Sequence, residues 1–114
     1  MKKFLAIFIG SVSQEQKKAE KPMSLENLQA GMAAWGEWVN QNQKFILDMG
    51  SPLGKTKRID RNGITQFENR DTAYVVVQAE SHEAAAKLFL NHPHFMIFPG
   101  DSVEVMECLP VPGA

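Results

Sequence analysis

His92 and His94 are the side chains best equipped for chemistry in this 114-residue chain. They flank Pro93 in the run Asn91-His92-Pro93-His94-Phe95-Met96-Ile97-Phe98-Pro99-Gly100-Asp101. An imidazole near its ordinary pKa exchanges protons at neutral pH, so either ring could act as general acid or base. Two imidazoles could also hold a metal, with Asp101 and Glu104 completing the set. A pair of ligands around one proline, however, falls short of the three or four that a zinc site takes, and no metal or cofactor is expected. Ser51, Ser102 and Cys108 stand beside no recognisable base, and residues 50–54 lack the spacing of a phosphate-binding loop. The plainer reading of residues 91–101 is a helix stop followed by a packed turn. A site there would take its cleft lining from Trp35, Trp38, Met49, Ser51 and Tyr74, with His94 beside His92. The plain alternative for the tryptophans is helix core.

The elements that must position these residues follow from periodicity. Residues 4–9 are apolar on both alternating faces, Phe4, Ala6 and Phe8 on one and Leu5, Ile7 and Ile9 on the other, as in a central strand covered on both sides. Residues 11–22 read as an exposed polar loop. Ser24 is placed as an N-cap, and Leu28, Met32, Trp35 and Val39, widened by Leu25 and Trp38, mark an amphipathic helix to about residue 43. Gly31 and Gly36 weaken that helix, which implies close packing of a neighbour. Residues 45–49 form a strand that residues 50–54 bend. Residues 55–61 and 64–68 form a hairpin about Asn62-Gly63. Its Lys55, Lys57, Arg58 and Arg61 either hold an anion or protect an edge from aggregation. In the strand at residues 72–79, Val75 and Val77 share one face and Tyr74, Val76 and Gln78 the other. Ser81 caps a second helix, whose stripe Ala85, Leu88 and Phe89 continues to His92, with the ring inward at the helix C-terminus and Pro93 as the stop. His82 falls in its first turn and is expected to be exposed. Residues 102–108 form the last strand, and 109–114 a tail.

Composition limits what this can be. With 44% hydrophobic and 22% charged residues, the chain is an ordinary globular one, sized for one domain over residues 1–114. A net charge of -1 provides no general attraction to nucleic acid or an anionic membrane. The single cysteine, Cys108, excludes an intrachain disulfide and is expected to be buried in its strand. The apolar run at residues 4–9 is too short to span a bilayer, and a cytoplasmic location is expected.

The order strand, helix, strand with hairpin, strand, helix, strand predicts a ferredoxin-like α+β fold. Right-handed crossovers put both helices on one face of an antiparallel sheet. The other face stays apolar and bare, which predicts a homodimer packed through sheet faces, with a small-molecule cleft between sheet and helices or where the sheets meet.

Five segments together resemble one known family. They are Phe4-Leu5-Ala6-Ile7-Phe8-Ile9-Gly10, Met32-Ala33-Ala34-Trp35-Gly36-Glu37-Trp38, Asp48-Met49-Gly50-Ser51-Pro52-Leu53-Gly54, the block from Ala73 through Ala85, and Val103-Glu104-Val105-Met106-Glu107. In order and spacing they are similar to the YCII-related (YciI-like, DGPF-type) domains, and they cover almost the whole chain. The resemblance implies a dimeric α+β barrel, a superfamily that includes muconolactone isomerase-like enzymes and cofactor-free monooxygenases. YciI-type members carry a histidine in the first helix and an aspartate at the end of the second, proposed as an acid/base pair. Aligned on Ser51-Pro52, the histidine position falls on Ala34, or on Trp35 if shifted by one, and the aspartate position on His92. The pair is therefore not preserved here. Two functions follow as expectations: a small enzyme using His92 as general acid/base, or a non-catalytic ligand-binding or accessory dimer.

Overall fold

The computed structural model describes residues 1–11 and 23–113. The loop expected at residues 12–22 lies outside the described residues. Strand β1 (Lys2–Gly10) is followed by helix α1 (Leu25–Gln41), a 3-10 turn (Gln43–Phe45) and strand β2 (Ile46–Pro52). The hairpin β3 (Thr56–Asp60) and β4 (Gly63–Phe67) comes next, then β5 (Asp71–Ala79), helix α2 (His82–Lys87), a short helix α3 (Pro93–Met96) and β6 (Gly100–Glu107). The sheet runs β2-β5-β1-β6 with antiparallel neighbours, the ferredoxin-like order, and β3–β4 forms a separate ladder. None of the helices in the described residues is long and apolar enough to cross a membrane.

Alternation along β1 sorts the core. Phe4, Ala6 and Phe8 are fully buried, joined by Val75, Val77 and Ala79 of β5, Trp38 of α1, and Ala85 and Phe89 from the second crossover. Both helices thus cover the same sheet face. On the other face Leu5, Ile7, Tyr74 and Val76 are half-buried and Met106 is exposed. The sequence reads as a strand covered on both sides; among the described residues, one side is covered.

Local chemistry sets the boundaries. Ser24 Oγ accepts from Asn27 N–H at 3.2 Å and Ser81 Oγ from Ala84 N–H at 3.1 Å, so both serines cap as expected. Along α1 the buried stripe is shorter than the periodicity suggests: Leu25, Leu28 and Met32 are exposed, and the covered residues are Gly31 and Trp38, with Trp35 and Val39 partly so. In β2, Asp48 Oδ1 accepts the N–H of Gly50 at 2.7 Å, and Gly50 takes φ +69 in a bulge where a side chain would run into the Tyr74 carbonyl.

The hairpin turn differs by one residue from expectation. Its loop is Arg61-Asn62, because Asp60 pairs with Gly63 and the Asp60 carboxylate accepts the N–H of Asn62. Positive φ is thereby left to Gly63 alone. Cys108 is also corrected: β6 ends at Glu107 and the thiol is exposed.

Candidate functional site

The larger correction concerns the second crossover. The apolar stripe suggests a helix running on to His92 and stopped by Pro93, yet α2 ends at Lys87. The chain then tightens, with Leu88, Phe89 and Leu90 bonding to carbonyls three residues back. Asn91 reverses direction in the left-handed region at φ 58. His92 is left extended, and Pro93 opens α3, where its missing N–H costs nothing.

His92 therefore sits at a helix N-terminus, where the expectation had it at a C-terminus favouring the charged ring. Its Nδ1 accepts the backbone N–H of His94 at 2.9 Å, which places the proton of the neutral ring on Nε2. That Nε2 is buried and has no hydrogen-bond partner among the described residues. Burial, and then the neighbouring His94, lower the His92 pKa from 6.5 to about 4. The ring is neutral at physiological pH.

Aromatic side chains of α1, β1 and the turn after α2 enclose it. Trp35 and Trp38 of α1 approach edge-on, with centroids 4.5 and 4.6 Å from the His92 ring. Phe8 of β1 lies at 4.9 Å and Phe89 at 6.0 Å. Trp38 is anchored, because its indole N–H donates to the Leu88 carbonyl at 2.8 Å. Trp35 lies between His92 and Phe98, half-buried. Phe98 in turn presses on Gly31, where any side chain would collide with its ring. Here the packing reason expected for a glycine in α1 is met; Gly36 has open space around it.

His94 is drawn inward as well. It is 6% exposed, and its Nε2–H donates to the Ile9 carbonyl at 2.7 Å. The ladder between β1 and β5 slips a residue after Phe8, and that between β1 and β6 slips after Ile9. These irregularities accompany the Ile9 carbonyl's turn toward His94. Gly100 leaves room for the imidazole; a side chain there would meet it. His82 is exposed as expected, yet it stacks on Phe4 and its Nε2 lies 2.8 Å from the Val105 carbonyl.

Of the residues expected to line a cleft, the fold gathers Trp35, Trp38, His92 and His94. It does not bring the others to them. Tyr74 and Ser51 are cross-strand partners on the opposite face of the sheet, and Met49 is 67% exposed on edge strand β2. Phe8 and Phe89 are the walls that residue chemistry did not single out. The sequence holds no signal for the His94–Ile9 contact, since Pro93 breaks the helical register and the bond spans 85 residues. Among the described residues, no group of three or more His, Cys, Asp or Glu side chains is placed to hold a metal.

No protein-family model and no curated protein matches the chain. Among solved structures it is similar to 5-chloro-2-hydroxyhydroquinone dehydrochlorinase (TftG) from Burkholderia phenoliruptrix AC1100, solved in complex with 2,5-dihydroxybenzoquinone. The two share that protein's fold. The TM-score is 0.54 at 18% identity, over 91% of this chain and 90% of the other. Identity this low carries the fold and no more. It agrees with the ferredoxin-like α+β architecture expected from element order.

Proposed function

We propose that this chain is a YCII-related, cytoplasmic homodimer that binds a small, planar, oxygen-bearing molecule at His92. The observation that supports this reading is the buried, unpartnered Nε2 of His92 inside an aromatic enclosure. An unsatisfied buried donor costs roughly 1–3 kcal/mol. A carbonyl or phenolic oxygen delivered to Nε2–H would recover that cost. Trp38 would serve as a fixed wall, and half-buried Trp35 as the side chain that shifts to admit the ring. A neutral imidazole donor polarises an oxygen without carrying charge into an apolar site. With a pKa of about 4, His92 is poorly matched to act as a general base near neutrality, so binding and polarisation come before proton abstraction.

The homodimer part of the reading rests on the open sheet face, where Leu5, Ile7, Tyr74 and Val76 are half-buried and Met106 is exposed. A second reading is enzymatic, with His92 as general acid/base on a hydroxylated aromatic. It is favoured by the reaction and the bound quinone named for TftG.

The test is thermal unfolding of the pure protein with hydroxyquinones and hydroquinones, since a ligand that binds the folded state raises the Tm by mass action. A saturable rise in Tm is expected, with affinity about tenfold or more weaker in His92→Asn, which retains a good N-cap residue. Equal affinity in that variant would remove His92 from the site. Product formation lost in His92→Asn would favour the enzymatic reading over simple binding. Light scattering addresses the dimer separately: a monomer at micromolar concentration would refute it.

A further inference from the structure

Hydrogen bonding around His92 is one-sided. Its Nδ1 is committed to the N–H of His94, so the neutral ring presents Nε2–H, a donor. Among the described residues, that nitrogen is the one buried side-chain nitrogen or oxygen without a partner. Phe8 and Phe89 contribute only carbon to its surroundings. The indole N–H of Trp38 is committed to the Leu88 carbonyl, and His94 directs its Nε2–H to the Ile9 carbonyl. Trp35 brings an indole N–H, which is again a donor. The backbone carbonyls of Leu88, Phe89 and His92 already accept, from the Trp38 indole and from the N–H groups of His92 and Phe95.

This asymmetry sorts oxygen-bearing ligands. A carbonyl oxygen only accepts, so a single donor satisfies it. A phenolic oxygen can accept as well, but it brings an O–H of its own, which is then buried without an acceptor. A carboxylate brings charge, and charge among aromatic rings is costly without a cation beside it. The imidazole cannot relieve either by taking a proton from the ligand. Its Nε2 already carries one, and its Nδ1 would have to release the His94 N–H. Burial, and then the neighbouring His94, oppose a second proton as well and hold the pKa at about 4.

We propose that the His92 enclosure selects an un-ionised, planar carbonyl compound, an aryl ketone or quinone, whose oxygen accepts from Nε2–H, over phenols and carboxylates of the same shape. The proposal rests on the reading of His92 as a binding residue and narrows its ligand from any oxygen-bearing ring to one class. Discrimination of this kind comes from the polar group left unpaired, not from fit, so it persists between ligands of matched size.

The test is titration calorimetry of the full chain near neutral pH with 1-tetralone, 1-naphthol and 1-naphthoate, bicyclic probes that differ chiefly in the oxygen-bearing group. Affinity for tetralone about tenfold or more above that for naphthol is expected, with naphthoate weaker still. The infrared carbonyl stretch of bound tetralone should fall below its value in an apolar solvent, because Nε2–H polarises the bond. In His92→Asn, which keeps an N-cap side chain but withdraws the ring, the tetralone preference and the infrared shift should both be lost. Naphthol as tight as tetralone, or naphthoate the tightest, with affinity still falling in His92→Asn, overturns the carbonyl selectivity while the His92 site stands. An unshifted stretch in tetralone bound to the parent overturns the selectivity without recourse to the variant. Binding of none of the three probes, or equal affinities in parent and variant, removes the site and the selectivity together.

Discussion

The two faces of the β1–β5 pair are built from similar residues and have different fates. Phe4, Ala6, Phe8, Val75 and Val77 lie under the helices and are at most 3% exposed. Leu5, Ile7 and Val76, one residue along, are half-buried. Hydrophobicity alone does not distinguish them; connection handedness does, because both crossovers return on the same side. The covered face became a core that also encloses two imidazoles. The open face kept its apolar character without a cover from any described element, which is why a second copy of the chain is the cover proposed.

Substitutions on each side can break or sharpen that contrast. The largest effect is expected from Phe8→Ala, which removes a ring touching Trp35, Phe89, His92 and His94. It should cost about 3–5 kcal/mol in urea unfolding, independent of protein concentration. Ile7→Ala on the open face should instead cost an amount that grows with protein concentration, as a dimer contact would. A concentration-independent loss as large as that of Phe8→Ala would show that Ile7 is covered within its own chain.

Next comes pH. The folded-state pKa of His92 lies below its unfolded value, so the unfolded chain binds the extra proton first. Its contribution to stability is complete above pH 6.5 and is lost as pH falls to about 4, by about 3 kcal/mol in all. His92→Asn should flatten that part of the stability-pH curve; an unchanged slope would assign the acid sensitivity to other groups. Gly31→Ala follows, at about 1–3 kcal/mol, because the added carbon meets the Phe98 ring on the covered side of α1. The smallest effect has the opposite sign. Gly36→Ala has open space and should stabilise by about 0.5–1 kcal/mol. If both glycine variants shifted the urea midpoint alike, the Phe98 contact would not be the cause.

Much of the fold was legible because it depends on local rules. Serine caps, the two-residue alternation and the order of crossovers all act within a few residues, and together they yield the ferredoxin-like sheet. The site was legible in part. Phe89 and His92 continue the stripe begun by Ala85, so an inward His92 follows from periodicity even though α2 stops at Lys87. Its electrical character was not legible. A ring expected at a helix C-terminus would favour charge; the ring at an N-terminus, accepting a backbone N–H, resists it. One left-handed residue, Asn91, makes the difference.

By itself, then, the sequence determined which residues are apolar, where helices begin and the topology those elements can adopt, since propensity and alternation are properties of neighbours. Tertiary structure alone decided that Tyr74 and Ser51 face away from His92, that Phe98 fills the space Gly31 leaves, and that His94 bonds to Ile9. Those outcomes depend on ladder register and on contacts between residues far apart in the chain. A single slip in register reverses the face on which a side chain lies.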